Sequence, residues 1–223
     1  MEQNDRLRPT AEGTLLWEPS EQYRSNANIT RFMRWLNETR HLRFDSYHEL
    51  WRWSVDDLES FWAAIWDYFQ IRAKAPYSKV LTGRHMPGAH WFPGATLNFA
   101  ELALSRQDPH PAIISQSEIR PLSTVTYSEL YKEVASVAAG LRSLGISKGD
   151  CVAAYMPNIS ETVIAFLATV SIGAIWSSCA PEFGGHSVVE RFQQIGPKVL
   201  LTTDGYRYGG KDDKRLDAVG SIQ

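Results

Sequence analysis

A chain of 223 residues that is 43% hydrophobic and 22% charged has enough apolar material for a packed core, which argues against a disordered segment or an extended coiled coil. Basic and acidic residues nearly cancel, 23 against 25, and stay balanced on both sides of Asp108, so no stretch offers the positive field that binding a nucleic-acid backbone requires. The start, Met1-Glu2-Gln3-Asn4-Asp5, has no basic segment followed by an apolar one, and no run approaches the roughly 18 apolar residues of a membrane span, so the expectation is a cytoplasmic protein with neither nucleic acid nor membrane as partner.

Seven of the eight tryptophans precede residue 109, and only Trp176 follows it, which divides the chain into a Trp-rich first region over 1–108 and a second region over 109–223. In the first, Ile29 to Leu42 and Val55 to Phe69 read as helices. Ser54 with Asp57 resembles an N-terminal cap for the second of these, and Leu58, Trp62, Ile65, Trp66 and Phe69 recur at helical spacing as its core face. From Ala75 to Phe99 the periodicity fails among Pro76, Pro87, Gly88, Pro93 and Gly94, and a connector is expected, pinned by Trp91 and Phe92.

The second region alternates strand and helix. Ser123 to Val125 reads as a short strand. Thr126 with Glu129 forms a capping box for a helix whose apolar face is Leu130, Val134, Val137, Leu141 and Leu144, closed by Gly145. Cys151 to Met156 is the next strand, and Asn158 with Glu161 caps a helix running to Gly173. Ala174 to Cys179 reads as a buried strand, Ser187 with Glu190 caps a helix ending at Gly196, and Val199 to Thr203 is a further strand. Lys211 to Val219 reads as the start of another helix. Short loops between alternating elements predict an α/β fold, with the strands near Cys151, Ala174 and Val199 parallel and either adjacent or one strand apart.

Two segments suit an anionic ligand. Gly205 to Lys211 matches G-x-x-x-x-G-K after a strand, but Asp212 stands where a nucleotide loop needs Ser or Thr for magnesium and Asp212-Asp213 would repel phosphate, which argues against an ATPase loop, while a basic glycine turn carrying Arg207 and Lys211 still suits a phosphate. Gly184-Gly185 precedes a helix whose N-terminus presents free N–H groups. No G-x-G-x-x-G is present. Six histidines and two cysteines, Cys151 and Cys179, show no metal-ligand spacing, and no nucleophile is paired with a base.

Leu16-Trp17-Glu18-Pro19-Ser20, Leu50-Trp51-Arg52-Trp53-Ser54-Val55, Trp91-Phe92-Pro93-Gly94 with Leu97-Asn98-Phe99-Ala100-Glu101, and Gly173-Ala174-Ile175-Trp176-Ser177-Ser178 together resemble the AMP-forming acyl-CoA synthetase family in its acetoacetate-activating branch. The resemblance implies a helical extension over 1–108 and the opening, first parallel-sheet part of the adenylating domain over 109–223. It implies a ligase of ketone-body and fatty-acid metabolism that uses ATP, CoA and Mg, with acetoacetate as the small-molecule substrate. The ATP and Mg sites, the Ser/Thr/Gly-rich phosphate loop and the catalytic lysine fall outside these residues, so the 223 residues alone are expected to be inactive. Carried over residue by residue, Gly185, Arg207, Gly209, Gly210 and Lys211 are the implied CoA-binding positions. The alternatives are a ligase for acetate or propionate, and a non-catalytic interaction module.

Overall fold

The computed structural model describes residues 10–222 and divides them between two units, one running to Ile71 and including Tyr77–Pro93, the other made of Arg72–Pro76 and the residues from Gly94 on. The first unit holds helices α1 (Glu21–Asn26), α2 (Asn28–Arg40), α3 (Tyr47–Asp56) and α4 (Leu58–Tyr68), followed by the two-residue strands β1 (Leu81–Thr82) and β2 (His90–Trp91), which pair antiparallel. Its core is Phe32 and Leu36 of α2, Leu50 of α3 and Ala64 of α4, with Trp35, Phe61, Ile65 and Tyr68 packed around them.

The helix expected over Val55 to Phe69 is α4, which starts three residues later than expected because Val55 and Asp56 are the last residues of α3. Asp57, with φ −120° and ψ 71°, ends α3 and caps α4 by accepting the Ser60 N–H, whereas Ser54 lies inside α3 and donates to the Trp51 carbonyl. The breaker is thus the carboxylate that competes for backbone N–H groups, not the preceding serine. The core face of α4 is also rotated from the expected stripe. Phe61, Ala64, Ile65 and Tyr68 point into the core, Phe69 is exposed, and Trp62 meets Trp91 while Trp66 stacks against Phe92 with ring centroids 4.7 Å apart. Phe92 therefore pins the connector as expected.

The second unit opens with α5 (Phe99–Ala103), the antiparallel pair β3 (Pro111–Ser115) and β4 (Ser123–Thr126), and α6 (Tyr127–Ser143). Asn98 explains why its motif carries an amide there. Its Oδ1 accepts the Ala100 N–H at 2.9 Å to cap α5, and its Nδ2 donates to the carbonyls of Val170 and Ser171 at 3.0 and 3.2 Å. Helix α6 begins on the expected capping box and ends where Gly145, at φ 81°, lets its own N–H reach Arg142 and that of Ile146 reach Leu141. Leu130, Val134, Ala138 and Leu141 are buried on one stripe, while Leu144 lies past the last turn and is exposed.

Then come β5 (Cys151–Tyr155), α7 (Ser160–Ser171), β6 (Ile175–Cys179), α8 (Gly185–Gln193) and β7 (Val199–Thr202). The three strands form a parallel sheet in the order β6-β5-β7, as the alternation predicts. Central β5 shows why the fold has three layers. Val152 joins the core beneath α6 and α7, whereas Ala153 and Tyr155 join Val188 and Phe192 of α8 on the opposite face, the period-two alternation of a strand covered on both sides.

Among the described residues strand β6 is an edge strand rather than a buried one, since it pairs only with β5 there and leaves Ile175 half exposed. Two expected caps also fail. Helix α7 starts at Ser160 with Ile159 at the cap and no capping side chain, and α8 starts at Gly185 on Gly184, with Ser187 already inside the helix. The stretch expected as a helix from Lys211 is instead a hairpin, β8 (Gly205–Tyr208) with β9 (Lys211–Lys214), and only then α9 (Leu216–Ile222), whose Val219 completes the core under β5.

Asp150 ties the entry of β5 to the approach to β7. Its carboxylate lies 2.6 Å from the Lys198 ammonium and accepts the Ser147 N–H and hydroxyl at 2.8 and 2.9 Å. The Lys198 contact first, then the two Ser147 donors, hold Asp150 down to about 2 from the ordinary 3.8. A carboxylate lowered on folding stabilises the native state above its unfolded value and loses that contribution as pH falls through the folded one. Acid unfolding followed by circular dichroism is expected to lose part of its pH dependence between about pH 4 and pH 2 in Asp150→Asn, and an unchanged acid profile would contradict this role.

Candidate functional site

The parallel strands end together at one edge of the sheet, where ligands of open α/β folds collect. There the chain forms a cleft of about 620 Å³. Pro157 to Ile159 line it after β5, Ala180 to Glu182 after β6, Thr203 to Tyr208 after β7, and Ser117, Ile119 and Arg120 line it from the β3–β4 loop. The loop after β6 is held by Tyr155, a fully buried side chain whose hydroxyl lies 2.7 Å from the carbonyl oxygens of both Pro181 and Phe183, which share its single proton. Burial pushes its phenol up, which keeps that donor neutral.

The outer wall is the β8–β9 hairpin. Gly209 and Gly210, at φ 59° and 75°, form its two-residue turn, and positive φ at both central positions is the pattern that matches strand twist in tight hairpins. Arg207 stands opposite Asp212 in the ladder and grips it with two bonds, Nε to Oδ1 at 2.6 Å and Nη2 to Oδ2 at 2.8 Å. That fork holds the Asp212 carboxyl below the usual carboxylate range and raises Arg207. At the tip, the N–H groups of Gly209 and Gly210 both point at one carboxylate, Glu118 of the β3–β4 loop, at 2.7 and 2.8 Å. Behind the hairpin, Arg215 donates to Tyr206 Oη and Asp213 Oδ2, each at 3.0 Å. Its Nε and the Thr203 hydroxyl are buried with no hydrogen-bond partner among the described residues.

Four of the five positions singled out from the sequence, Arg207, Gly209, Gly210 and Lys211, share this hairpin, and Arg207 lines the cleft. Gly185 lies outside the lining segments. It opens α8, and a Cβ there would meet only the Ser221 hydroxyl at an ordinary 3.5 Å. Glu118, Arg120, Tyr155 and Thr203 went unread in the sequence, because each acts across 26 or more residues or lies in a loop without periodic signal. Among the described residues no group of three His, Cys, Asp or Glu side chains is placed to hold a metal ion, and no helix is long and apolar enough to cross a membrane. Nothing lining the cleft pairs a nucleophile with a base. What the arrangement can do is bind an anion, through an arginine fork and a turn whose N–H groups already hold a carboxylate.

The chain is similar to known proteins in sequence and fold. Residues 100–222 match the AMP-binding enzyme family, and residues 47–103 match the acetyl-coenzyme A synthetase N-terminus. The acetoacetyl-coenzyme A synthetase of Rhizobium meliloti is 38% identical over 88% of this chain, and the acetoacetyl-CoA synthetase of Xenopus tropicalis is 36% identical over 95% of it. The chain spans only 30% and 32% of those two proteins. The solved acetoacetyl-CoA synthetase of Streptomyces lividans superimposes with a TM-score of 0.85 at 48% identity, covering 93% of this chain and 33% of that one.

Proposed function

The chain belongs to the AMP-binding enzyme family, and from that premise we propose that it is the N-terminal portion of an acetoacetate-CoA ligase that binds CoA on the β8–β9 hairpin. In the proposed reaction the acetoacetate carboxylate attacks the α-phosphorus of ATP and expels pyrophosphate. The CoA thiol, giving up its proton, then attacks the acyl carbonyl and expels AMP. The observation that supports the CoA part is the hairpin itself, with Arg207 on the cleft and a glycine turn that holds an anion by its backbone. Acetoacetate is supported by the names of the relatives. Malonamoyl-CoA synthetase of Penicillium aethiopicum, 33% identical over 88% of the chain, keeps a related acid as the alternative.

The division into an extension over 1–108 and an adenylating segment over 109–223, Gly185 as a CoA contact and a cytoplasmic setting belong to the same proposal. ATP belongs to it as a co-substrate. Mg belongs to it with ATP, at a site outside the described residues, and no step is assigned to it.

Arg207→Ala in the protein at its full length tests this reading. CoA affinity is expected to fall about tenfold, the low end for a charge-assisted contact, because Arg207 must release Asp212 to take a phosphate. Acetoacetate-dependent exchange of pyrophosphate into ATP should stay unchanged. A loss of that exchange as large as the loss of thioester formation would place the hairpin with ATP or with the fold, and thioester formation from acetate or propionate in preference to acetoacetate would remove the substrate assignment.

A further inference from the structure

The hairpin offers two sets of anion donors, and the chain's own carboxylates fill both. The two are not equivalent. Asp212 sits directly across the ladder from Arg207, five residues away, so the strand pairing that builds the hairpin also fixes that pair. Glu118 reaches the turn from 91 residues away on an exposed loop, and it touches the hairpin by its carboxylate, one oxygen on the Gly209 N–H and the other on the Gly210 N–H. It can leave without disturbing a rung of β8–β9 pairing.

Two successive N–H groups at positive φ form a concave seat for an oxyanion, and a carboxylate and a phosphate present the same paired acceptors to it. We infer that Glu118 is an internal competitor for this seat, which a CoA phosphate must displace in order to bind. Glu118 thereby sets the affinity of the hairpin for its ligand without contributing to it. The inference rests on the hairpin being the CoA-phosphate seat, and it predicts the opposite sign from a structural staple. Removing a staple loosens the seat and weakens binding. Removing a competitor frees two donors and takes a negative charge away from an incoming anion.

The test compares wild type, Glu118→Gln and Glu118→Ala in the protein at its full length, titrated with CoA and separately with inorganic phosphate. Calorimetry reads affinity, and isotope-labelled glycine reads the Gly209 and Gly210 amides. Glu118→Ala is expected to bind both ligands about three- to fivefold more tightly than wild type, the scale of an exposed charge pair, with Glu118→Gln between them. The two glycine amides should move on ligand addition. Tighter phosphate at those amides with unchanged CoA affinity supports the competitor and removes CoA as the occupant. Equal or weaker binding of both ligands in Glu118→Ala overturns the competitor, while a loss of CoA binding in Arg207→Ala would still leave the CoA reading in place.

Discussion

Tyr155→Ala is expected to destabilise the sheet-bearing unit by about 3–5 kcal/mol, and Tyr155→Phe by about 1–3 kcal/mol, because the two substitutions remove different things. The ring is only 1% exposed and packs with Val188, Phe192 and Val219 on the face of the sheet covered by α8 and α9, so truncation to alanine leaves a cavity in a layer where each helix contributes few side chains. Phenylalanine keeps that packing and removes only the hydroxyl, which takes away the one proton that the Pro181 and Phe183 carbonyls share. Those carbonyls belong to the loop that forms one wall of the cleft and leads into Gly184 and α8. Urea unfolding should therefore show the larger loss for alanine, while CoA affinity should already fall in phenylalanine as the loop loosens. Equal stability of Tyr155→Phe and wild type would mean that the two carbonyls are satisfied in another way.

A second large effect is expected at Gly205. A Cβ built there stands 2.5 Å from the Asp213 carbonyl oxygen and 3.3 Å from the Lys214 Cα, and both are backbone atoms that cannot swing aside as a flexible side chain would. Gly205→Ala is expected to cost about 1–3 kcal/mol and to spread the base of the hairpin where Gly205 pairs with Lys214. Arg207 and the 209–210 turn ride on that base, so CoA affinity should fall at least as far as in Arg207→Ala. Thermal unfolding and CoA titration of the same variant check both parts. A variant with wild-type melting temperature and wild-type affinity would show that the hairpin accommodates the methyl group.

What could be read from the sequence follows the range of each interaction. Helix α6 was legible from end to end because its determinants lie within four residues of the ends they fix, the Thr126–Glu129 box at one end and Gly145 at the other. The parallel sheet was legible because strand and helix alternate with connections too short for another topology. The hairpin was not. Lys211-Asp212-Asp213-Lys214 has no apolar alternation, and its pairing is set instead by the Gly209-Gly210 turn and the Arg207–Asp212 rung, so the local pattern reads as a phosphate-loop-like spacing followed by helix. The face of α4 was misread for a related reason. Aromatic residues occur on both sides of that helix, and only the neighbours, Trp91 and Phe92 for one side and Phe32 for the other, decide which ring goes where. Within the site, Arg207 could be found because a basic residue beside glycines is a local signal, whereas Glu118 meets the same turn from a distant loop and leaves none.

The order β6-β5-β7 bears on how the chain is made. A ribosome delivers β5 before either neighbour, and β5 is the strand that ends in the middle. Each later strand therefore adds to an edge that already exists, and none has to wedge between two others. The 47 residues from the end of β5 to the end of β7 emerge over about 2–9 s at ordinary elongation rates, far longer than local helix formation takes. Helices α7 and α8 can thus form on their own connections while the next strand is still in the exit tunnel, and the sheet can grow outward in the order of translation.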